Sequence, residues 1–138
     1  MTFVITQAVP ILVGAVIFTV IGGIWYMPQV FGRVWMQLQF GSTELPPDRK
    51  KKAAKAMAAS FVLALITCAV LRKLLLIFGV ATPSEGVQYS LWLAIGFIIV
   101  PQYNDILFSG KPVKLYAITT GYYVVSLVLV GALYGWWQ

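Results

Sequence analysis

The sequence predicts an all-α membrane protein: an integral bundle of four transmembrane helices, with a short interfacial helix after the first. Hydrophobic residues make up 60% of the 138 residues, charged residues only 10%, and the mean hydropathy is +0.86. Such values lie outside the range of soluble domains. The one soluble alternative, a buried helical bundle, requires a polar stripe on each helix, and the four long apolar runs are apolar all round. Positive charges between the runs fall mostly into the first and third connections, as cytoplasmic loops do.

The runs predict helices at about 3–27, 53–80, 88–108 and 113–137 within one domain, 1–138. Each run is long enough to span a bilayer, because about 20 residues cross the hydrocarbon at about 1.5 Å per residue. The first run has no basic residue before it and is too long for a secretion signal, so we expect it to be retained as a helix.

The connections differ in character. Apolar residues recur at helical spacing over 30–40, which favours a short helix lying in the membrane interface; an irregular connection is the alternative. The second connection, 83–86, is short and has no basic residue, whereas 109–112 forms a tight turn. Pro28-Gln29 and Pro101-Gln102 echo each other, which raises the alternative of a parallel repeat of two hairpins.

The distribution of basic residues predicts the orientation of the chain. One side carries Arg33, Arg49, Lys50, Lys51, Lys52, Lys55, Lys111 and Lys114. By the positive-inside rule this side is cytoplasmic, so we expect a multi-pass protein of the plasma membrane with both termini outside. Arg33, the run 49–52 and Lys55 are expected to contact anionic lipid headgroups, either as topology anchors or as a lipid-specific site.

Several classes of site are excluded by composition. Cys68 is the only cysteine and histidine is absent, so we expect no metal site, no haem and no other cofactor. The net charge of +6 does not indicate nucleic acid, because the basic residues gather at the membrane edges rather than along one element. The anionic partners expected here are membrane lipids.

Small residues indicate where helices touch. Ala56, Ser60, Ala64 and Cys68 recur every four residues in the second helix, and one further step reaches Arg72. Gly131 and Gly135 form a similar row in the fourth helix. These rows predict packing within the chain, with a second copy in a homodimer or other homo-oligomer, or with a partner membrane protein.

Two cations lie near the predicted outer boundary. Arg72 and Lys73 follow Lys55 by about 17 residues, or roughly 25 Å of helix. Both side chains are expected to reach the outer headgroups; the alternative for Arg72 is that it faces a neighbouring helix.

Polar residues within the membrane point to a ligand site, because each is costly unless it is paired or lines water. Asp105 is the only acid within a predicted transmembrane run, near the inner end of the third helix. A pocket open to the cytoplasm is expected from Gln102, Asn104, Asp105, Thr119 and Tyr123. The alternative is a structural cluster in which Asp105 pairs with Arg33, Lys111 or Lys114.

Three segments carry a resemblance to a known family. Residues 22–28 read GGIWYMP, 31–36 read FGRVWM and 108–112 read FSGKP. Together with glycines and a tryptophan in the last helix, these segments resemble the small four-helix membrane proteins called domain of unknown function 1761. The resemblance implies a fold and a membrane location, and no activity.

Three functional classes remain open. A non-catalytic module, acting as an oligomer or accessory subunit, needs only the packing faces. A small channel or carrier needs a polar path, for which the Asp105 pocket supplies one mouth. An enzyme acting on lipid needs paired acids, a histidine or an activated nucleophile, so we expect no enzyme.

Overall fold

The computed structural model describes residues 1–44 and 46–137, so Leu45 and Gln138 of the predicted domain lie outside the described residues. Its helices are α1 (Thr2–Thr6), α2 (Ala8–Trp25), α3 (Arg33–Phe40), α4 (Pro47–Ile77), α5 (Pro83–Ala94), α6 (Val100–Ser109) and α7 (Val113–Trp136), and two π-helical turns span Pro28–Gly32 and Ile95–Ile99. No strand occurs in these two ranges. The all-α prediction is confirmed.

Four helical stretches are long and apolar enough to cross a bilayer. They are Ala8–Trp25, Pro47–Ile77, Pro83–Ser109 and Val113–Trp136, and the mean hydropathy of their most apolar windows runs from 1.5 to 2.3. The third stretch combines α5, the second π-helical turn and α6. The chain is therefore an integral membrane protein with four candidate spans, as the apolar runs predict.

The last helix, α7, is the centre of the bundle. It contacts α2, α4, α5 and α6, and the core that it shares with α2 and α4 is built around Ala15, Cys68 and Val130, all 0% exposed. By contrast, only 6% of the most apolar window of Pro83–Ser109 is buried. The third span therefore packs on α7 from one side and leaves the rest of its surface to its surroundings.

The contact between α5 and α7 is a close approach of two backbones. A Cβ atom added to Gly86 would overlap the carbonyl oxygen of Gly131, and one added to Gly135 would overlap the carbonyl oxygen of Thr82. Gly131 also faces the buried hydroxyl of Ser90. Small residues on both helices make this approach possible without a hydrophobic drive. The sequence analysis did not identify the matching row of small residues on α5, which includes Gly86 and Ser90.

Several helices begin and end away from the expected residues because of their caps. α4 begins at Pro47 rather than near 53, since proline suits the first turn and the basic residues that follow it are good helix formers. α5 begins at Pro83, so the expected loop 83–86 is its first turn: Thr82 Oγ accepts from the Glu85 N–H at 3.2 Å, and Glu85 Oε2 accepts from the Ala81 N–H at 3.2 Å. The first contact is an N-cap, and the second occupies the N–H of the residue just before it.

Prolines interrupt two of the expected helices. The first apolar run breaks at Gln7, three residues before Pro10, which has no N–H to bond the Thr6 carbonyl. The third span widens into the π-helical turn Ile95–Ile99 just before Pro101, because the proline ring disfavours regular bonding to the preceding turn. The break leaves Gln7 free to point its side chain at another helix.

Candidate functional site

Arg72 is buried at the end of the bundle where α4 and α7 terminate. It is 3% exposed. Its Nε donates to Gln7 Oε1 at 2.9 Å, and its Nη1 donates to the carbonyl oxygens of Tyr134 at 3.0 Å and Trp137 at 2.7 Å. A cation suits this position because the last carbonyls of a helix lack intrahelical partners and carry the negative end of its dipole. Arg72 thus ties α4 to the end of α7 and to the start of α2.

The expectation that both cations reach the headgroups is wrong for Arg72, which takes the inward alternative. Lys73 is exposed, and its Nζ lies 4.8 Å from the centre of the Phe3 ring. The difference is one of helix face: Arg72 continues the row of Ala64 and Cys68, both buried, and Lys73 is about 100° away from it.

Tyr134 closes the same end of the core. Its hydroxyl donates to the carbonyl oxygen of Pro10 at 3.0 Å, and its ring lies 5.3 Å below the guanidinium carbon of Arg72. Gly14 makes room for this ring, because a Cβ there would overlap the Tyr134 hydroxyl. The polar side chains of Arg72 and Tyr134 therefore hold helices together at this end of the bundle.

At the opposite end, a cavity of about 170 Å³ gathers three of the five residues predicted to bind a ligand. It is lined by Gln39, Gln102, Asp105, Ile106, Lys111, Leu115, Tyr116 and Thr119. Asn104 and Tyr123 do not line it. Gln39, on α3, was missed by the sequence analysis, although the polar face of the amphipathic segment 30–40 was the signal that could have found it.

Most polar side chains around this cavity are hydrogen-bonded to other groups of the protein. Gln102 Oε1 accepts from the Thr120 hydroxyl at 3.1 Å, and the Tyr116 hydroxyl donates to the carbonyl oxygen of Ile99 in the π-helical turn at 2.7 Å. Asp105 lies 3.6 Å from Lys111 Nζ, with side chains 65% and 53% exposed. An ion pair this open is weak. Of the three cations considered for Asp105, Lys111 is therefore its partner.

A cleft opens between α2 and α4, and it is lined by residues of α2, α4 and α7. Two adjoining hollows of about 330 and 460 Å³ share Ser60, Tyr122 and Tyr123, and Thr19 and Gly23 of α2 line the larger one. No residue of α4 before Ala64 is buried, so the first half of this helix stands away from the bundle. Ala56 and Ser60, on the predicted packing row, are exposed there.

Tyrosines form the floor of this α2–α4 cleft. The Tyr122 hydroxyl donates to the carbonyl oxygen of Phe18 at 3.1 Å, and its ring lies 5.0 Å from Tyr123 and 5.6 Å from Tyr26. Burial, with smaller contributions from Tyr123 and Tyr122, raises the pKa of Tyr26 to about 12. Tyr26 is therefore a neutral hydroxyl at physiological pH.

The basic run at the start of α4 is exposed throughout. Arg49, Lys50, Lys51, Lys52 and Lys55 all point away from the core on the first turns of the helix. Arg33 is exposed at the start of α3. These side chains are free to meet an anionic surface.

The motif residues 22–36 build the junction between α2, α3 and α7. Trp25 Nε1 donates to the carbonyl oxygen of Ile118 at 2.9 Å, and its ring lies 4.8 Å from Phe31. The turn itself needs Gly32, because a Cβ there would overlap the carbonyl oxygen of Tyr26. The motif thus has a structural role, in joining the first span to the bundle.

Acid, thiol and imidazole groups are too sparse to build a metal centre: residues 1–44 and 46–137 contain no group of three or more that could hold an ion. Cys68 is a free, buried thiol.

Comparison with protein families places most of the chain within one family model. The model of the family described as "Protein of unknown function (DUF1761)" matches residues 9–135, which include the junction motif and all four candidate spans apart from their extreme ends. No curated protein and no solved structure matches this chain.

Proposed function

The chain belongs to the DUF1761 family, and we propose that it is a non-catalytic membrane module that assembles with a second copy of itself through the first half of α4. The observation that carries this proposal is the change in burial along one helical row. Ala64 and Cys68 are packed against the bundle, whereas Ala56 and Ser60, on the same row, are exposed beside the cleft.

A row of small residues that its own bundle leaves uncovered has a specific use in membranes. Lipid tails are as apolar as a helix surface, so helices associate where small side chains permit close packing and hydroxyl groups add hydrogen bonds. A second copy fits this surface because the same row can cross itself about a two-fold axis. A different membrane protein, for which this chain would be an accessory subunit, is the other occupant to be tested.

The absence of catalysis is part of this proposal. Asp105 is open and paired with Lys111, and the hydroxyl groups of Tyr116, Tyr122 and Tyr134 donate to backbone carbonyls. A general base or an activated nucleophile needs a partner group that tunes its protonation. Structural hydrogen bonds of this kind support a packing role.

Orientation and location follow from the charges. We place the end with α3, the start of α4 and the α6–α7 turn in the cytoplasm of a plasma-membrane protein, with both termini outside, by the positive-inside rule. The inward position of Arg72 supports this orientation, since a cation that is hydrogen-bonded within the bundle is not a loop charge.

Disulfide cross-linking in native membranes tests the assembly. In Ser60→Cys, two symmetry-related thiols should meet and form a covalent dimer on mild oxidation, while buried Cys68 stays unreactive. Ala58→Cys is the matched control, because two residues along a helix place it on roughly the opposite face. Equal dimer yields from the two variants would contradict the proposed face, and a new band with a different polypeptide would favour the accessory subunit.

A second candidate function rests on the cavity beside Asp105. Gln102, Asp105 and Thr119 surround a space large enough for a small polar solute, which suits one mouth of a carrier. Solute and ion flux into liposomes containing the purified protein tests this candidate. Flux that Asp105→Asn abolishes would support a carrier, and flux no higher than in empty liposomes would exclude it.

A further inference from the structure

A second hollow at the basic end of the bundle brings together two cations from distant parts of the chain. It has a volume of about 380 Å³ and is lined by Arg33, Val34, Gln37, Leu38, Thr43 and Lys114. Arg33 to Leu38 belong to α3, Thr43 follows that helix, and Lys114 lies in the first turn of α7. The sequence separation of Arg33 and Lys114 means that only the fold places them around one space.

Neither cation has an acidic partner among residues 1–44 and 46–137. Within the described part of the chain the one ion pair joins Lys111 to Asp105, so the acid nearest in sequence to Lys114 is already engaged. None of the residues that line this hollow is acidic, and Glu44, beside Thr43, forms no ion pair with another described residue. Two positive charges that share an uncompensated hollow attract an anion.

The lining also limits the kind of anion. The lining is mostly apolar, with Val34 and Leu38 as its wall, and the Arg33 side chain at its edge ends in a guanidinium whose planar donors suit phosphate oxygens. A free inorganic ion would gain nothing from the apolar wall. A phospholipid presents both chemistries together, because its phosphate is linked to a glycerol backbone and acyl chains.

We propose that the hollow between α3 and the start of α7 binds the phosphate-bearing headgroup of one anionic phospholipid, held by Arg33 and Lys114. The site lies at the membrane edge, since α2 ends just before α3 and α7 begins its span at Val113. It is independent of assembly through α4, whose exposed row lies on another helix.

Native mass spectrometry of the protein, equilibrated with equal amounts of phosphatidylglycerol and phosphatidylcholine in detergent, tests the site. Wild-type protein should retain phosphatidylglycerol preferentially. Near an anionic headgroup each basic residue changes binding about fivefold, so R33Q/K114Q should lower the retained ratio by about 25-fold. R33K/K114R keeps both charges and should retain the preference.

The control is K50Q/K51Q, which removes the same net charge from the exposed run of α4 and should lower the preference far less, because these side chains attract anionic lipid without lining the hollow. Excess inorganic phosphate distinguishes the two sources of a phosphate group: bound lipid should persist in it. Equal lipid retention by R33Q/K114Q and wild type would overturn the proposal, as would an equal loss in K50Q/K51Q or displacement of the lipid by phosphate. Circular dichroism spectra matching wild type confirm that each variant is folded.

Discussion

The Arg72 guanidinium lies 2.7 Å from the carbonyl oxygen of Trp137, across the gap between α4 and the end of α7. This contact, with those to Gln7 and Tyr134, gives a cation near a membrane boundary a structural use. Hydrogen bonds to charged groups are stronger than neutral ones, and a buried carbonyl that loses its donor costs free energy. Arg72 therefore holds together the end of the bundle opposite the basic loops, where the Tyr134 hydroxyl also joins α7 to α2.

Replacing this residue should destabilise the bundle. Arg72→Met keeps the aliphatic length but removes three donated hydrogen bonds, and we expect the free energy of unfolding to fall by about 3 kcal/mol. Reversible unfolding in mixed detergent, followed by circular dichroism, measures the change. Lys73→Met is the control, since its exposed ammonium should contribute less than about 0.5 kcal/mol. Similar losses from both variants would show that Arg72 has no special role.

The approach of α5 to α7 predicts strong sensitivity at Gly86. A Cβ there meets the backbone of Gly131, which has no flexible end to move aside, so Gly86→Ala should cost about 1–3 kcal/mol by forcing the helices apart. Gly23→Ala, on α2, is the control because nothing lies within 4 Å of its Cβ position. It should be neutral or stabilising by up to about 1 kcal/mol. The thermal unfolding midpoints of the two variants should move in opposite directions or differ clearly; equal midpoints would count against the close packing.

The exposed pair of Asp105 and Lys111 should matter little to stability. With side chains 65% and 53% exposed, Asp105→Asn should change the free energy of unfolding by less than about 1 kcal/mol. Chemical unfolding of wild type and variant in the same detergent checks this. A large loss would mean that the acid is a structural anchor, and would also remove Asp105→Asn as a clean probe of flux.

The pKa of Tyr26 predicts a loss of stability in alkaline solution. Folding raises this pKa from 10.0 to about 12, so between these values the folded chain retains a proton that the unfolded chain has released. The contribution of Tyr26 is fully present below pH 10 and is lost as pH rises through about 12. Unfolding free energies measured across this range should decline less steeply in Tyr26→Phe. Identical slopes would show that the phenol is not buried as described.

The four spans were predictable because an apolar run of about 20 residues or more is stable as a helix in the hydrocarbon of a bilayer, and the all-α class follows from them. The residues at which helices begin and end were harder to predict. The prediction near 53 treated the lysine run as loop, but charged residues after Pro47 extend a helix well because their long side chains reach water. At 83–86 the proline and glycine suggested a turn, but the N-cap contact from the Glu85 N–H to the Thr82 hydroxyl lets the helix begin at Pro83.

Side-chain directions at the candidate sites depended on packing that a single sequence does not contain. Gln102, Asp105 and Thr119 were expected to meet because they lie near one end of adjacent helices, and they line one cavity. Tyr123 was assigned to the same pocket from its depth alone, yet its face of α7 turns to the cleft beside Ser60. The cleft itself depends on where α4 separates from the bundle, which no residue pattern specifies.

Subunit counting tests the proposed assembly most directly. Native mass spectrometry of protein released gently from membranes should give a dimer for wild type and for Ala58→Leu. Ser60→Leu should give a monomer, because a larger side chain on the small-residue row keeps two helices apart. A monomeric wild type, or a Ser60→Leu variant that remains dimeric, would contradict assembly through the first half of α4.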